Sequence, residues 1–203
     1  MSEIPDETTG DTLASKENFK MLPGKTLVIG PSRSGKSHFS NALKNANLHV
    51  IDIDKDMELI KWRNDSSGEP VTRPLKPDST WLAENHFIIK PGELEQFLST
   101  QGDVIMFAHC WNIMEVIDQF DRVAYMSTPS DELERRLKID RPDHAGGGSP
   151  AEIAFHRQRH QERGEEARQH NITFIDTTLS PSEFYAQLSQ IAPKHDQSEN
   201  YVS

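Results

Sequence analysis

Compact apolar runs alternate along this chain with stretches whose apolar residues recur every three or four positions. Residues 26–29 (Thr-Leu-Val-Ile), 48–54 (Leu-His-Val-Ile-Asp-Ile-Asp), 104–108 (Val-Ile-Met-Phe-Ala), 122–126 (Arg-Val-Ala-Tyr-Met) and 172–175 (Ile-Thr-Phe-Ile) are short and rich in β-branched and aromatic side chains. Such runs read as strands of a parallel sheet, buried on both faces. Residues 86–90 add a further short strand. Helical spacing predicts helices over 37–45 (Phe39, Ala42, Leu43), 56–63 (Met57, Ile60, Trp62), 93–99, 113–120, 130–139 (Leu133, Leu137), 151–170 and 181–191. Strands alternating with helices predict an α/β domain whose parallel sheet is covered on both sides.

Two internal stretches break the pattern. Residues 64–80 are rich in Pro, Gly, Ser and charge, and read as a loop within an insert spanning 64–85. Residues 140–150 hold Arg141-Pro142 and the run Gly146-Gly147-Gly148, which no packed element wants, so 140–165 reads as a hinged flap and its helical continuation. Residues 1–20 and 195–203 are polar and poor in apolar groups, and read as flexible tails around a domain of residues 21–194.

Composition narrows the classes. The chain has 203 residues and a net charge of −10, which disfavours non-specific nucleic-acid binding. A single cysteine, Cys110, excludes an internal disulfide and fits a reducing compartment. No apolar run approaches membrane length, so the sequence reads as that of a cytoplasmic protein without a membrane partner.

The candidate chemistry centres on Gly30-Pro31-Ser32-Arg33-Ser34-Gly35-Lys36-Ser37, which has the form G-x-x-x-x-G-K-[ST] between a predicted strand and a predicted helix. The glycines allow successive N–H groups to turn inward toward phosphate oxygens, at the N-terminus of a helix. Lys36 would reach the β- and γ-phosphates of a nucleoside triphosphate, and the Ser37 hydroxyl would ligate its Mg²⁺. His38 follows at the mouth of the loop. His156 and His160 have the i,i+4 spacing of a zinc pair, but the Glu of H-E-x-x-H and a third ligand are missing.

Beyond the phosphate loop, the strand ending in Asp52-Ile53-Asp54 resembles the D-x-D strand of shikimate kinases. The order from residue 121 to 179 is similar to that of the shikimate, gluconate and nucleoside-monophosphate kinases: strand, Thr128-Pro129, helix with Arg135-Arg136, Arg141-Pro142, Arg-bearing helix, strand with Asp176-Thr177-Thr178. The resemblance implies a P-loop NTPase fold with a five-stranded parallel sheet of order 2-3-1-4-5, a lid, and ATP with Mg²⁺ as cofactors. It implies that Asp54 addresses an acceptor hydroxyl, that Asp52 holds Mg²⁺, that Arg141 acts from the lid and that Arg136 or Arg135 lies on the adenine. Both aspartates are also good helix caps.

Arg63 and Arg73 are the candidates for gripping an acceptor, because the arginine that follows D-x-D in that family has no clear counterpart. His109-Cys110-Trp111-Asn112 stands where shikimate kinases have a glycine triplet, and points away from shikimate itself. His109 and Trp111 are candidate acceptor contacts, with Trp111 stacking on a base or sugar or plugging the core. Arg157, Arg159 and Arg163 would reach phosphates from the far side of the lid or, as the simpler reading has it, are solvated, and Cys110 has no role that phosphoryl transfer requires. The expected activity is transfer from ATP to a hydroxyl of a small acceptor such as a nucleoside, nucleotide or sugar acid. A nucleic-acid hydroxyl, or an ATP-driven switch acting on a protein partner, are the alternatives.

Overall fold

The computed structural model describes residues 19–55, 59–139 and 150–194. Five parallel strands form the central sheet: β1 (Lys25–Ile29), β2 (Val50–Asp52), β5 (Val104–Ala108), β6 (Arg122–Ser127) and β7 (Thr173–Asp176). Their order is β2-β5-β1-β6-β7, which is the 2-3-1-4-5 order expected when these five alone are counted.

Two-residue periodicity sorts the strands' side chains into two cores. Leu27, Ile29, Val104, Met106, Val123 and Tyr125 face one side. There Leu94 and Leu98 of α3 (Pro91–Ser99) and Ala167 of α5 (Pro150–Gln169) pack on them. Val28, Ile105, Phe107, Ala124 and Met126 face the other side, under α1 (Lys36–Asn45) and α6 (Pro181–Ser189). Phe39 and Phe184 stack there with ring centroids 4.2 Å apart. Each fully buried side chain of this size contributes about 1.5–3 kcal/mol. A capping box at Ser180 and Glu183 starts α6, satisfying N–H groups that have no partner within the helix.

The second layer differs from the sequence expectation in three places. Residues 56–63 were expected to be helical, but Ile60–Asn64 is strand β3, paired antiparallel with β4 (Asn85–Ile89); residues 56–58 lie outside the described residues. Met57 and Ile60 have helical spacing, but the alternation Ile60-Lys61-Trp62 is that of a strand, and pairing with β4 selects the strand. The connection between them is not all loop: Asp78 caps α2 (Ser79–Glu84) through the Trp81 N–H. Residues 113–120 form two 3₁₀ turns, Ile113–Glu115 and Ile117–Gln119, rather than one amphipathic helix.

The remaining helix of the central unit is α4 (Ser130–Lys138). Phe19 packs on Tyr185 at 4.6 Å, and the Tyr185 hydroxyl donates to the Lys20 carbonyl, so the packed domain begins before residue 21. Residues 1–18, 195–203 and 140–149, where the sequence reads as a flap and which include Arg141 and Gly146 to Gly148, lie outside the described residues. Among the described residues no helix is long and apolar enough to cross a membrane.

Candidate functional site

The loops after β1, β5 and β2 emerge side by side at the carboxyl end of the sheet, where open parallel sheets bind ligands. The first is Gly30 to Gly35. Its two glycines are required for different reasons. Gly35 has φ 103°, which an L side chain rarely adopts, although a Cβ there would find nothing closer than 3.4 Å. Gly30 has no such φ; a Cβ on it would stand 2.6 Å from Lys36 Cγ and from Ser34 Oγ. Close approach, not backbone conformation, fixes Gly30. Arg33 also takes a positive φ, 65°.

Lys36 is nearly buried and folded back into its own loop. Its ammonium donates to the Gly30 carbonyl at 2.7 Å and the Pro31 carbonyl at 3.2 Å, and pairs with Asp54 Oδ2 at 3.0 Å. The other oxygen of Asp54 accepts the His109 N–H at 2.8 Å. Burial pushes the Asp54 carboxyl above the usual carboxylate range, against the pull of the Lys36 ammonium and the His109 amide. Its side chain nevertheless keeps 26 % exposure, and it lines the cleft that a ligand would enter. β2 ends at Asp52, so Asp54 sits in the turn beyond rather than on the strand.

Asp52 is buried to 5 % and accepts from the hydroxyls of Ser37 and Ser40, both at 3.4 Å, with Lys55 at 3.5 Å. Its second oxygen is buried without a hydrogen-bond partner. An orphaned carboxylate oxygen beside the Ser37 hydroxyl fits a hard cation that also takes phosphate oxygens. Ser37 and Asp52 are therefore compatible with Mg²⁺. Among the described residues no cluster of three or more His, Cys, Asp or Glu could hold a metal, and His156 and His160 gain no third ligand.

Two cavities open on this floor. The larger, about 970 Å³, runs from the phosphate loop past His38, Arg135 and Arg136 to Thr177, Thr178 and Leu179. Arg136 is held by Glu132 at 2.6 Å and donates to the Ser34 carbonyl at 2.9 Å, bracing the loop. Arg135 is largely exposed and paired with Glu132.

The smaller cavity, about 240 Å³, lies between the β3–β4 hairpin and α5. Trp62, Leu82 and Phe87 line one wall and Phe155 and His156 the other; Arg73, His109 and Trp111 also face it. Arg63 does not: its guanidinium donates to the Gly68 carbonyl at 2.8 Å. Its bond to the β3–β4 connection holds the Arg63 side chain away from the cavity, although His86, paired with Arg63 across the hairpin, does line it.

Trp111 is already engaged by the protein. His86 stacks on it at 3.5 Å, and the Arg159 guanidinium lies 3.7 Å over the indole. The stacking surface expected for a base is thus occupied by two planar side chains. Arg159 and Arg163, expected to be solvated, are 8 % and 1 % exposed. Arg163 donates to the carbonyls of Cys110 and Trp111 and to Glu166, fixing the loop after β5 from the α5 side. Arg157 is the one of the three that matches expectation, exposed and paired with Glu134.

From the hairpin side, the Trp111 N–H donates to the Phe87 carbonyl at 2.6 Å, and the Asn112 amide bonds Ile89 in both directions. Burial pushes the Cys110 thiol up to about 12, which leaves it inert. Burial lowers His109 well below its usual value and His156 to about 4, so both imidazoles are neutral near pH 7.

Solved structures with a similar fold were found. A shikimate kinase from Acinetobacter baumannii in complex with shikimate matches with a TM-score of 0.52 and 17 % identity, over 89 % of this chain and 96 % of its own. A shikimate kinase from Bacteroides thetaiotaomicron matches with a TM-score of 0.51 and 14 % identity, over 83 % and 98 %. This is the shikimate kinase fold. A gluconokinase from Sinorhizobium meliloti gives a TM-score of 0.46 at 17 % identity, over 90 % and 100 %. No protein-family model and no curated protein matches the sequence. Within the shikimate kinase fold, then, the chain sets a phosphate loop, two carboxylates and two cavities at one end of its sheet.

Proposed function

We propose that this protein is an ATP-dependent kinase that transfers the γ-phosphoryl group to a hydroxyl of a small acceptor. One observation carries the proposal: Ser32, Lys36 and Asp54 line both cavities at once. A nucleotide switch needs one cavity, whereas a transferase needs two that meet at the reacting atoms. The larger cavity would take ATP, its phosphates on Gly30 to Ser37 and its base toward Arg136 and Thr177. Ser37 and Asp52 would hold Mg²⁺, which when bound neutralises charge on the phosphate oxygens.

The resting contacts support a role for each residue. ATP binding draws the Lys36 ammonium from Asp54 toward the phosphates, leaving the carboxylate without its counter-ion. Its affinity for a proton rises further, as a general base requires. The acceptor oxygen then bonds to the γ-phosphorus as the bond to the β–γ bridging oxygen breaks, and the acceptor proton passes to Asp54. ADP leaves with the bridging oxygen.

The test is transfer of label from γ-labelled ATP to a mixed panel of alcohols, with Lys36→Ala as control. Label on an acceptor, lost in the variant, is the expected result. Release of inorganic phosphate alone, stimulated by a protein partner, would replace the kinase with a switch.

A further inference from the structure

The smaller cavity is aromatic where a pocket for a polyhydroxylated acid should be polar. Every hydroxyl of a bound polyol that leaves water needs a partner, and each one left unmet weakens binding. Most polar groups around this cavity already have partners. Lys36 and Asp54 hold each other at 3.0 Å, His86 is bonded to Asp65 at 2.7 Å, and Arg159 is paired with Glu162 at 2.7 Å. The walls between them are Trp62, Leu82, Phe87 and Phe155. Trp62 is itself fixed, packed at 4.9 Å on Trp81 and 5.5 Å on Phe87, so that wall is rigid.

Size limits the occupant further. An apolar cavity of about 150 Å³ accepts one benzene, six heavy atoms, so about 240 Å³ accepts by proportion roughly ten. That is a single six-membered ring with a hydroxymethyl group and one or two further atoms. A nucleoside, with roughly twice as many atoms, overfills it. One polar atom asks for more than hydrocarbon: His109 Nδ1 is buried without a hydrogen-bond partner. A ring N–H or carbonyl would satisfy it.

Resting on the kinase reading above, we propose that the acceptor is an alcohol borne on a single flat aromatic or heteroaromatic ring. The ring lies between the Trp62–Phe87 wall and Phe155, its polar edge meets His109, and its hydroxyl points at Asp54. Phosphoryl transfer would form the ring-alcohol phosphate and ADP, with the hydroxyl proton taken by Asp54.

The experiment uses the full chain and two readouts. Transfer from γ-labelled ATP is measured to hydroxymethyluracil, pyridinemethanol and hydroxymethylbenzoate, and in parallel to shikimate, gluconate and thymidine. Binding of the same compounds is measured by saturation-transfer NMR with a non-hydrolysable ATP analogue and Mg²⁺ present. Phe155→Ala and Trp62→Leu are taken forward where their melting temperatures stay within a few degrees of the parent's.

The expected result is transfer to at least one ring alcohol, with KM raised about ten-fold in Phe155→Ala. Preferred transfer to shikimate, gluconate or thymidine overturns the ring proposal and leaves the kinase standing. Ring alcohols that bind, and bind more weakly in Phe155→Ala, without any transfer overturn the kinase and leave the ring site standing. Ring alcohols that neither bind nor accept label overturn the proposal outright.

Discussion

Replacing Asp54 with asparagine should move nucleotide affinity and turnover in opposite directions. In the resting site the Lys36 ammonium is 3.0 Å from the Asp54 carboxylate. At an effective dielectric of about 20 that attraction is worth about 5–6 kcal/mol. Drawing the ammonium out to about 6 Å, toward bound phosphates, forfeits roughly half of it, about 3 kcal/mol. The bonds to the Gly30 and Pro31 carbonyls are exchanged equally in both proteins, so they cancel. Asp54→Asn removes the opposing pull, and ATP should bind up to about 100-fold more tightly. The partial exposure of Asp54 to the cleft brings the expected gain nearer 10-fold. Loss of the base should meanwhile slow transfer by about 10²- to 10⁴-fold.

The assay is calorimetric titration with ATP·Mg²⁺, paired with single-turnover transfer. Acid should mimic the substitution. Burial raises the Asp54 carboxyl, so protonation begins at a higher pH than for a free carboxylate. As pH falls through that range, wild-type affinity for ATP should rise while transfer falls, and the Asp54→Asn variant should show neither trend. Unchanged or weaker ATP binding in that variant would refute the idea that Lys36 is drawn away from Asp54.

Three further outcomes are expected. Gly30→Ala forces a Cβ to 2.6 Å from Lys36 Cγ and should lose about 1–3 kcal/mol by overpacking; Gly35→Ala, at φ 103° with no contact closer than 3.4 Å, should lose about 1–2 kcal/mol by strain. Urea unfolding measures both, and only Gly30→Ala should also disturb the Lys36–Asp54 pair. Arg163→Met strands the Cys110 and Trp111 carbonyls, so thermal unfolding should report a loss of about 2–4 kcal/mol, partly restored in Arg163→Lys. His156 is charged below about 6.5 when unfolded but only below about 4 in the fold. Its stabilisation is therefore full above the upper value and lost as pH falls toward the lower. Melting temperature should drop over that window, less so in His156→Gln, and a flat profile would remove His156 from the account.

The central sheet was legible because each of its strands is a short apolar run bounded by turn residues. The pattern at 104–108 and 122–126 admits little else. The phosphate loop was legible from two glycines and a lysine at fixed spacing. The hairpin was not: Met57 and Ile60 have helical spacing while Ile60 and Trp62 have strand spacing, and the partner that decides between them lies more than twenty residues downstream. Arg159 and Arg163 sit on a helix so rich in charge that nothing local marks them as buried. Only the carbonyls of residues 110 and 111, far along the chain, give Arg163 its place. The smaller cavity shares this difficulty, since its walls come from the hairpin and α5, and neither wall's pattern reveals the other.

The hairpin of β3 and β4 belongs to no strand ladder of the central sheet. It joins the rest through Ile60 and Ile89, buried in the core beneath the sheet, and through bonds between the Phe87 carbonyl and the Trp111 N–H and between the Ile89 main chain and the Asn112 side-chain amide, both in the loop after β5. On the kinase reading, the two cavities meet at Ser32, Lys36 and Asp54, and the aromatic walls that would choose the acceptor lie outside the phosphate loop. Changes on the inward face of the hairpin reshape the smaller cavity without disturbing β1, its loop or α1. On the kinase reading, a lineage carrying this scaffold would exchange one acceptor for another by altering Trp62, Leu82 or Phe87, while the loop proposed to grip the triphosphate is inherited intact.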